Sequence, residues 1–154
     1  MTADRADLGD LYQEIILEHS KAPRNYRKPA VVNREAEGYN PLCGDRCTVY
    51  LDVEDGAIKD IGFRGSGCAI SRASASMMTQ SVKGKSKAEA AKLFDQFHRL
   101  VTGDEDAVAQ ASAMGKLAVF AGVSKFPARV KCATLAWHTL QSALEGKHDP
   151  VTTE

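Results

Sequence analysis

Apolar residues at helical spacing open the pattern of this chain. Leu8, Leu11, Tyr12, Ile15 and Ile16 form one helical face, and His19 extends the stripe. Pro23 and Pro29 break it, so an extended loop is expected over residues 22–32. The period then shortens to two. Between Cys47 and Val53, Val49, Leu51 and Val53 share one side of a strand, and Thr48, Tyr50 and Asp52 share the other. Asp55-Gly56 is a hairpin signal, and the return strand runs from Ile58 to Phe63. A preceding strand is expected over residues 34–39. Connections this short make the sheet antiparallel.

Past Gly65-Ser66-Gly67 the pattern is helical. Residues 69–82 are rich in Ala, Ser and Met and predict a closely packed helix. Ser86 and Glu89 form a capping box that starts another helix, running to about Leu100. A short helix is expected from Asp104 to Met114. The stretch Gly115 to Lys125 is apolar and contains glycine, and its pattern assigns no conformation. Pro127 suits the first turn of a last helix, which runs to Leu144 and stops at Gly146. The tail beyond is polar and expected to fray. Strands first and helices after predict an α+β domain over residues 1–154, a small antiparallel sheet with helices on one face.

Composition narrows the partners. The chain has 154 residues, 44% of them hydrophobic, which suffices for one packed core. Twenty basic residues balance twenty acidic ones, which leaves no electrostatic case for nucleic acid or a membrane surface. The opening MTADRADLGD has no apolar run suited to export, and no stretch reaches the roughly 18 apolar residues of a membrane span. A cytoplasmic protein with reduced thiols is expected.

The chemistry lies in four cysteines, at 43, 47, 68 and 132. In a reducing compartment, clustered cysteines point to metal or catalysis more often than to disulfides. No CxxC pair occurs, so spacing alone is a weak metal signal. Cys43 lies in Asn40-Pro41-Leu42-Cys43-Gly44-Asp45, a turn that exposes its side chain. Asp45 reaches the same space if the backbone is extended. A thiolate and a carboxylate repel, a cation between them removes the conflict, and zinc accepts both ligand types. Cys68 follows a glycine-rich turn and opens a helix, where free N–H groups favour thiolate. Packing at the start of a buried helix explains it equally well. Cys132 has Arg129 and Lys131 beside it, which favour thiolate, yet it also continues the apolar stripe of Leu135, Ala136 and Leu140. Taken alone, packing is the stronger reading. Cys47 shares strand parity with Val49 and Leu51, which predicts a core thiol. Asp45 shares that parity too, so both can face one site. His19, His98, His138 and His148 are expected as surface or packing residues.

Three segments together carry a family resemblance: Asn-Pro-Leu-Cys-Gly-Asp over residues 40–45, Gly65-Ser66-Gly67-Cys68-Ala69-Ile70-Ser71 continuing through Ala75-Ser76-Met77-Met78, and Arg129-Val130-Lys131-Cys132-Ala133-Thr134-Leu135-Ala136-Trp137. With the opening helix they resemble the NifU/IscU-like family of iron–sulfur cluster assembly over nearly the whole chain. Within it the chain looks like the SufU-type branch of zinc-dependent sulfurtransferases. Scaffold-type members carry histidine immediately before the last cysteine, where this chain has Lys131. The interval from Cys68 to Cys132 is also long, and residues 103–126 accommodate the difference.

The resemblance implies a SufE/NifU-like fold and one zinc ion held by Cys43, Asp45, Cys68 and Cys132. It implies Cys43 as the catalytic sulfur acceptor, a SufS-type pyridoxal-phosphate cysteine desulfurase as partner, and downstream iron–sulfur assembly proteins. Arg129 and Lys131 are supporting candidates. Cys47 is not part of the motif, which leaves open whether Asp45 or Cys47 completes the ligand set. Two alternatives remain: an IscU-type scaffold on which an iron–sulfur cluster is assembled, and a binding module with a structural zinc.

Overall fold

The computed structural model describes residues 13–147 and 150–152. A first helix, α1, covers residues 13–21 and holds Ile15, Ile16 and His19. Leu8, Leu11, Tyr12 and His148 lie outside the described residues. The segment after α1 runs without regular structure along the sheet, where Phe63 donates its N–H to Asn25 O at 3.0 Å.

Three antiparallel strands follow: β1 (Arg34–Asn40), β2 (Asp45–Glu54) and β3 (Ala57–Ser66). Asp55 and Gly56 both take positive φ, the geometry of a tight hairpin turn between twisted strands. Strict alternation along β2 holds from Asp45 to Leu51, with the odd-numbered residues buried. It fails at the end, because a bulge shifts the register between Asp52 and Val53. Asp52 is therefore buried and Val53 only partly so, against the parity expected from sequence.

The helices are α2 (Ala69–Val82), α3 (Lys87–Val101), α4 (Glu105–Ala109) and α5 (Pro127–Leu144). The expected capping box is formed, with Glu89 N–H donating to Ser86 Oγ and Ser86 N–H to Glu89 Oε1, both at 3.1 Å. Small residues let α2 approach α5 closely. Trp137 Nε1 donates to Ser74 Oγ at 3.1 Å, and Ser74 Oγ donates to Ala133 O at 2.5 Å. The indole is fully buried and stacks on Phe97 at 4.6 Å. The helices thus cover the sheet face carrying Val49, Leu51, Ile61 and Phe63, and the core sits between the layers.

Two segments depart from the sequence pattern. The helix expected from Asp104 to Met114 ends at Ala109, and Ala111–Lys125 is a 3-10 segment kinked at Gly115. Leu117, Phe120 and Val123 are buried at every third position, the period of a 3-10 helix, and Val119 is buried beside them. The tail does not simply fray. Val151–Thr152 forms β4, parallel to β1 opposite Gly38 and Tyr39, giving the sheet order β3-β2-β1-β4. No helix among the described residues is long and apolar enough to cross a membrane.

Candidate functional site

Three elements bring the chemistry together. The turn between β1 and β2 carries Cys43, and Gly44 supports that turn with φ 71° and an N–H bond to Asn40 O at 2.9 Å. Asp45 is the first residue of β2 and is fully buried. Cys68 is the N-cap of α2, and Cys132 lies one turn into α5. One ligand atom each from Cys43, Asp45 and Cys132 lie within 4.8 Å of one another. Cys132 Sγ is 3.5 Å from Cys43 Sγ, and Cys68 Sγ is 3.8 Å from Asp45 Oδ2.

Cys68 lies outside this group of three and meets it through Asp45; the Cys43–Cys132 and Cys68–Asp45 separations are each close to an edge of a tetrahedral zinc site. Zinc–thiolate bonds of ~2.3 Å give sulfur–sulfur edges of about 3.8 Å, and a thiolate–carboxylate edge of about 3.6 Å. The donor set also fits electronically. A fully buried carboxylate beside three thiols is costly unless something positive faces it. The cation candidates from the sequence do not fill that role inside the cluster. Arg129 is exposed and lies over the Phe126 ring at 4.5 Å, at the edge of the cleft, and Lys131 does not line it.

Backbone geometry tunes the individual groups. Asp45 Oδ1 accepts the N–H of Cys68 at 2.9 Å, and Cys68 Sγ accepts that of Ser71 at 3.4 Å. The Cys68 thiol is lowered to about 7, chiefly by its bond with Cys132, and further by the Ser71 and Ile70 N–H groups, against burial and the Asp45 charge. The neighbouring Cys68 thiol and burial push the Cys132 thiol up. Gly67 permits the close approach. A Cβ there would lie 2.7 Å from Asp45 Oδ1.

The structure separates the two groups that share strand parity. Asp45 stands at the mouth of β2, against the start of α2. Cys47 lies one pleat deeper, 5% exposed among the core side chains, and burial pushes its thiol to about 12. Cys132 is both things its sequence suggested. It is 3% exposed within the apolar face of α5, yet its sulfur reaches the cluster. His98 and His138 pack edge-on with Phe94, and His19 is buried against Ser76, away from the cysteines. Asn40, the first residue of the Asn-Pro-Leu-Cys-Gly-Asp segment, also belongs to the site. It is fully buried and bonds to both the turn and Cys132. Its place directly before the Pro-x-Cys turn was the available signal.

The thiols open onto a cleft of about 770 Å³. Ile16 and Leu17 of α1, Val119 and Val123 of the 3-10 segment, and Phe126 supply its apolar lining, together with Cys43, Cys68 and Cys132. Leu42, beside Cys43, is 64% exposed. Cys43 is thus an accessible thiol at an apolar opening, backed by buried Asp45 and Cys132.

The NifU-like N-terminal domain model matches residues 11–144. This chain belongs to that family. It is 41% identical over 138 residues to the iron–sulfur cluster assembly scaffold protein IscU of Streptococcus pyogenes serotype M1, covering 90% of this chain and 85% of that protein. It is 40% identical over 143 residues to the zinc-dependent sulfurtransferase SufU of Bacillus subtilis strain 168, covering 90% of this chain and 92% of that one. A protein described as hypothetical, with a crystal structure at 2.3 Å resolution, superposes with a TM-score of 0.81 at 41% identity, covering 88% of this chain and 98% of that one. The two named relatives divide between the scaffold and sulfur-transfer roles considered from the sequence.

Proposed function

We propose that this chain is a zinc-dependent sulfurtransferase, with Cys43 accepting persulfide sulfur from a pyridoxal-phosphate cysteine desulfurase of the SufS type for iron–sulfur assembly. The observation that carries this reading is the position of Cys43: an exposed thiol on a turn, within reach of buried Asp45 and Cys132, at the mouth of an apolar cleft. Cys43, Asp45, Cys68 and Cys132 would hold the metal. Bound zinc would keep the thiols ionised at neutral pH and so store the acceptor as thiolate.

The chain's own residues account for the rest. Asp45, Cys68 and Cys132 are anchored by a strand end and two helices, so the cluster persists while the Cys43 turn exchanges position. The cleft walls exclude water from the approach of a partner's persulfide. The Cys43 thiolate attacks the outer sulfur, the partner's S–S bond breaks, and the partner cysteine leaves as thiolate. Cys43 ends as the persulfide, with no net oxidation. Arg129 at the cleft edge offers a cation to the anionic groups that meet there.

The test is alanine production from cysteine by a SufS-type desulfurase, under excess reductant, with and without this protein. A large stimulation that disappears in Cys43→Ala is expected. No stimulation, with zinc confirmed in place, would refute the assignment. The scaffold reading is favoured by the similarity to the S. pyogenes IscU and by three convergent thiols, which also suit clusters. It requires a cluster chromophore after anaerobic reconstitution that passes to an acceptor protein.

A further inference from the structure

We propose that Asn40 is a positioning residue that divides the labour between two thiols, pinning Cys132 as a fixed ligand and leaving Cys43 as the exchangeable one. The inference rests on the metal-thiolate reading above. Asn40 ends β1, pairs with Asp45 in the strand register, and is fully buried. Its groups reach three parts of the site. The carbonyl accepts the Gly44 N–H at 2.9 Å, Oδ1 accepts the Leu42 N–H at 3.2 Å, and Nδ2 donates to Cys132 Sγ at 3.7 Å. The amide orientation follows from this network. The Leu42 N–H needs an acceptor, so the oxygen faces the turn and the nitrogen faces the sulfur.

The ligand candidates then differ in a way that matters chemically. Asp45 takes an N–H from Cys68, Cys68 takes one from Ser71, and Cys132 takes one from Asn40. Among the described residues Cys43 Sγ has no N–H donor, and its one hydrogen-bond neighbour is Cys132 Sγ at 3.5 Å. An N–H bond draws charge from a thiolate, which lowers its basicity and nucleophilicity and fixes its orientation. A thiolate without one keeps its electron density for an incoming electrophile. Asn40 therefore makes the two neighbouring sulfurs unequal, and it does so while tethering the turn on which the reactive one moves.

The experiment uses the full chain, labelled with an NMR-active nitrogen isotope and loaded with an NMR-active cadmium isotope. Magnetisation transfer between the Asn40 side-chain amide and cadmium is expected, carried through the hydrogen bond to Cys132 Sγ. Cadmium bound without that transfer overturns the inference while leaving the metal site standing. Failure to bind cadmium overturns the metal-thiolate reading itself, and this inference with it. Asn40→Asp keeps an acceptor for the Leu42 N–H but removes the donor to Cys132. Asn40→Ala removes both. In zinc-loaded protein treated with limiting iodoacetamide, the Cys132-to-Cys43 labelling ratio should rise by about tenfold or more in both variants, and zinc should bind roughly 10- to 100-fold more weakly. Folded variants with unchanged labelling and zinc affinity would overturn the role. If neither variant folds, the cadmium measurement on the unaltered chain decides.

Discussion

Gly67→Ala is the substitution whose consequences follow most directly from the site. The added Cβ would lie 2.7 Å from Asp45 Oδ1, 3.1 Å from its Cγ and 3.3 Å from its Cβ. Relaxed contacts need roughly 3.5 Å, so the carboxylate oxygen must retreat by about 0.8 Å. Asp45 is buried, and its Oδ1 bond to the Cys68 N–H, now 2.9 Å, would stretch past the usual range. Losing a charge-assisted bond costs about 1.5–3 kcal/mol. Alanine restricts the unfolded chain and returns about 0.4–1 kcal/mol. A net loss of about 1–2 kcal/mol remains, equivalent to roughly 2–8 °C in melting temperature for a domain of this size. If Asp45 holds zinc as proposed, displacing its carboxylate should also weaken zinc by about an order of magnitude. Thermal melts by circular dichroism, with zinc and with chelator, measure the first effect. Competition with a chromophoric chelator measures the second. Gly122→Ala is the control, since a Cβ there meets nothing within 4 Å. A Gly67→Ala protein that melts and binds zinc like the parent would refute this account of how Asp45 is held.

Under the proposed function, Cys47→Ala should retain zinc and sulfur acceptance, since the thiol is a core group, and mass mapping of the native protein at neutral pH should show alkylation of Cys43 ahead of Cys47. Equal labelling of the two would contradict the burial of Cys47. Ser74→Ala leaves the buried Trp137 Nε1 without its hydrogen-bond acceptor, and denaturant melts should register a loss of about 1–3 kcal/mol. Burial lowers His19 below the ordinary histidine range, so the unfolded chain binds the proton more readily. Stability should therefore be complete above about pH 6.5 and fall on acidification, and His19→Gln should flatten that fall. An unchanged pH profile in the variant would remove His19 from the explanation.

Much of the architecture was readable locally. The Asp55-Gly56 turn, the Ser86 capping box and the Pro127 helix start are each dictated by backbone chemistry within a few residues. The three cysteine segments were readable as a family resemblance, because close backbone approaches such as Gly67 against Asp45 constrain sequence strongly. Elements stabilised by distant partners were not readable. Val151–Thr152 has no strand signal of its own and is a strand because the free edge of β1 supplies its hydrogen bonds. The 3-10 segment follows a three-residue period that the helical and strand templates do not match.

The sequence by itself determined which residues are chemically able to act: four thiols, an aspartate beside one of them, and turns that present them. Only the tertiary structure decided how they sort. Asp45 and Cys47 share parity, and depth in the sheet puts one in the cluster and the other in the core. Cys43 and Cys132 stand 89 positions apart, yet their sulfurs lie 3.5 Å from each other because β2 and α5 pack together. Asn40 acquires its role only where the end of β1 meets α5. Local sequence sets the reactivity available to a group. Packing sets which groups meet and how much water and charge surround them, and metal and thiol chemistry depends on those surroundings.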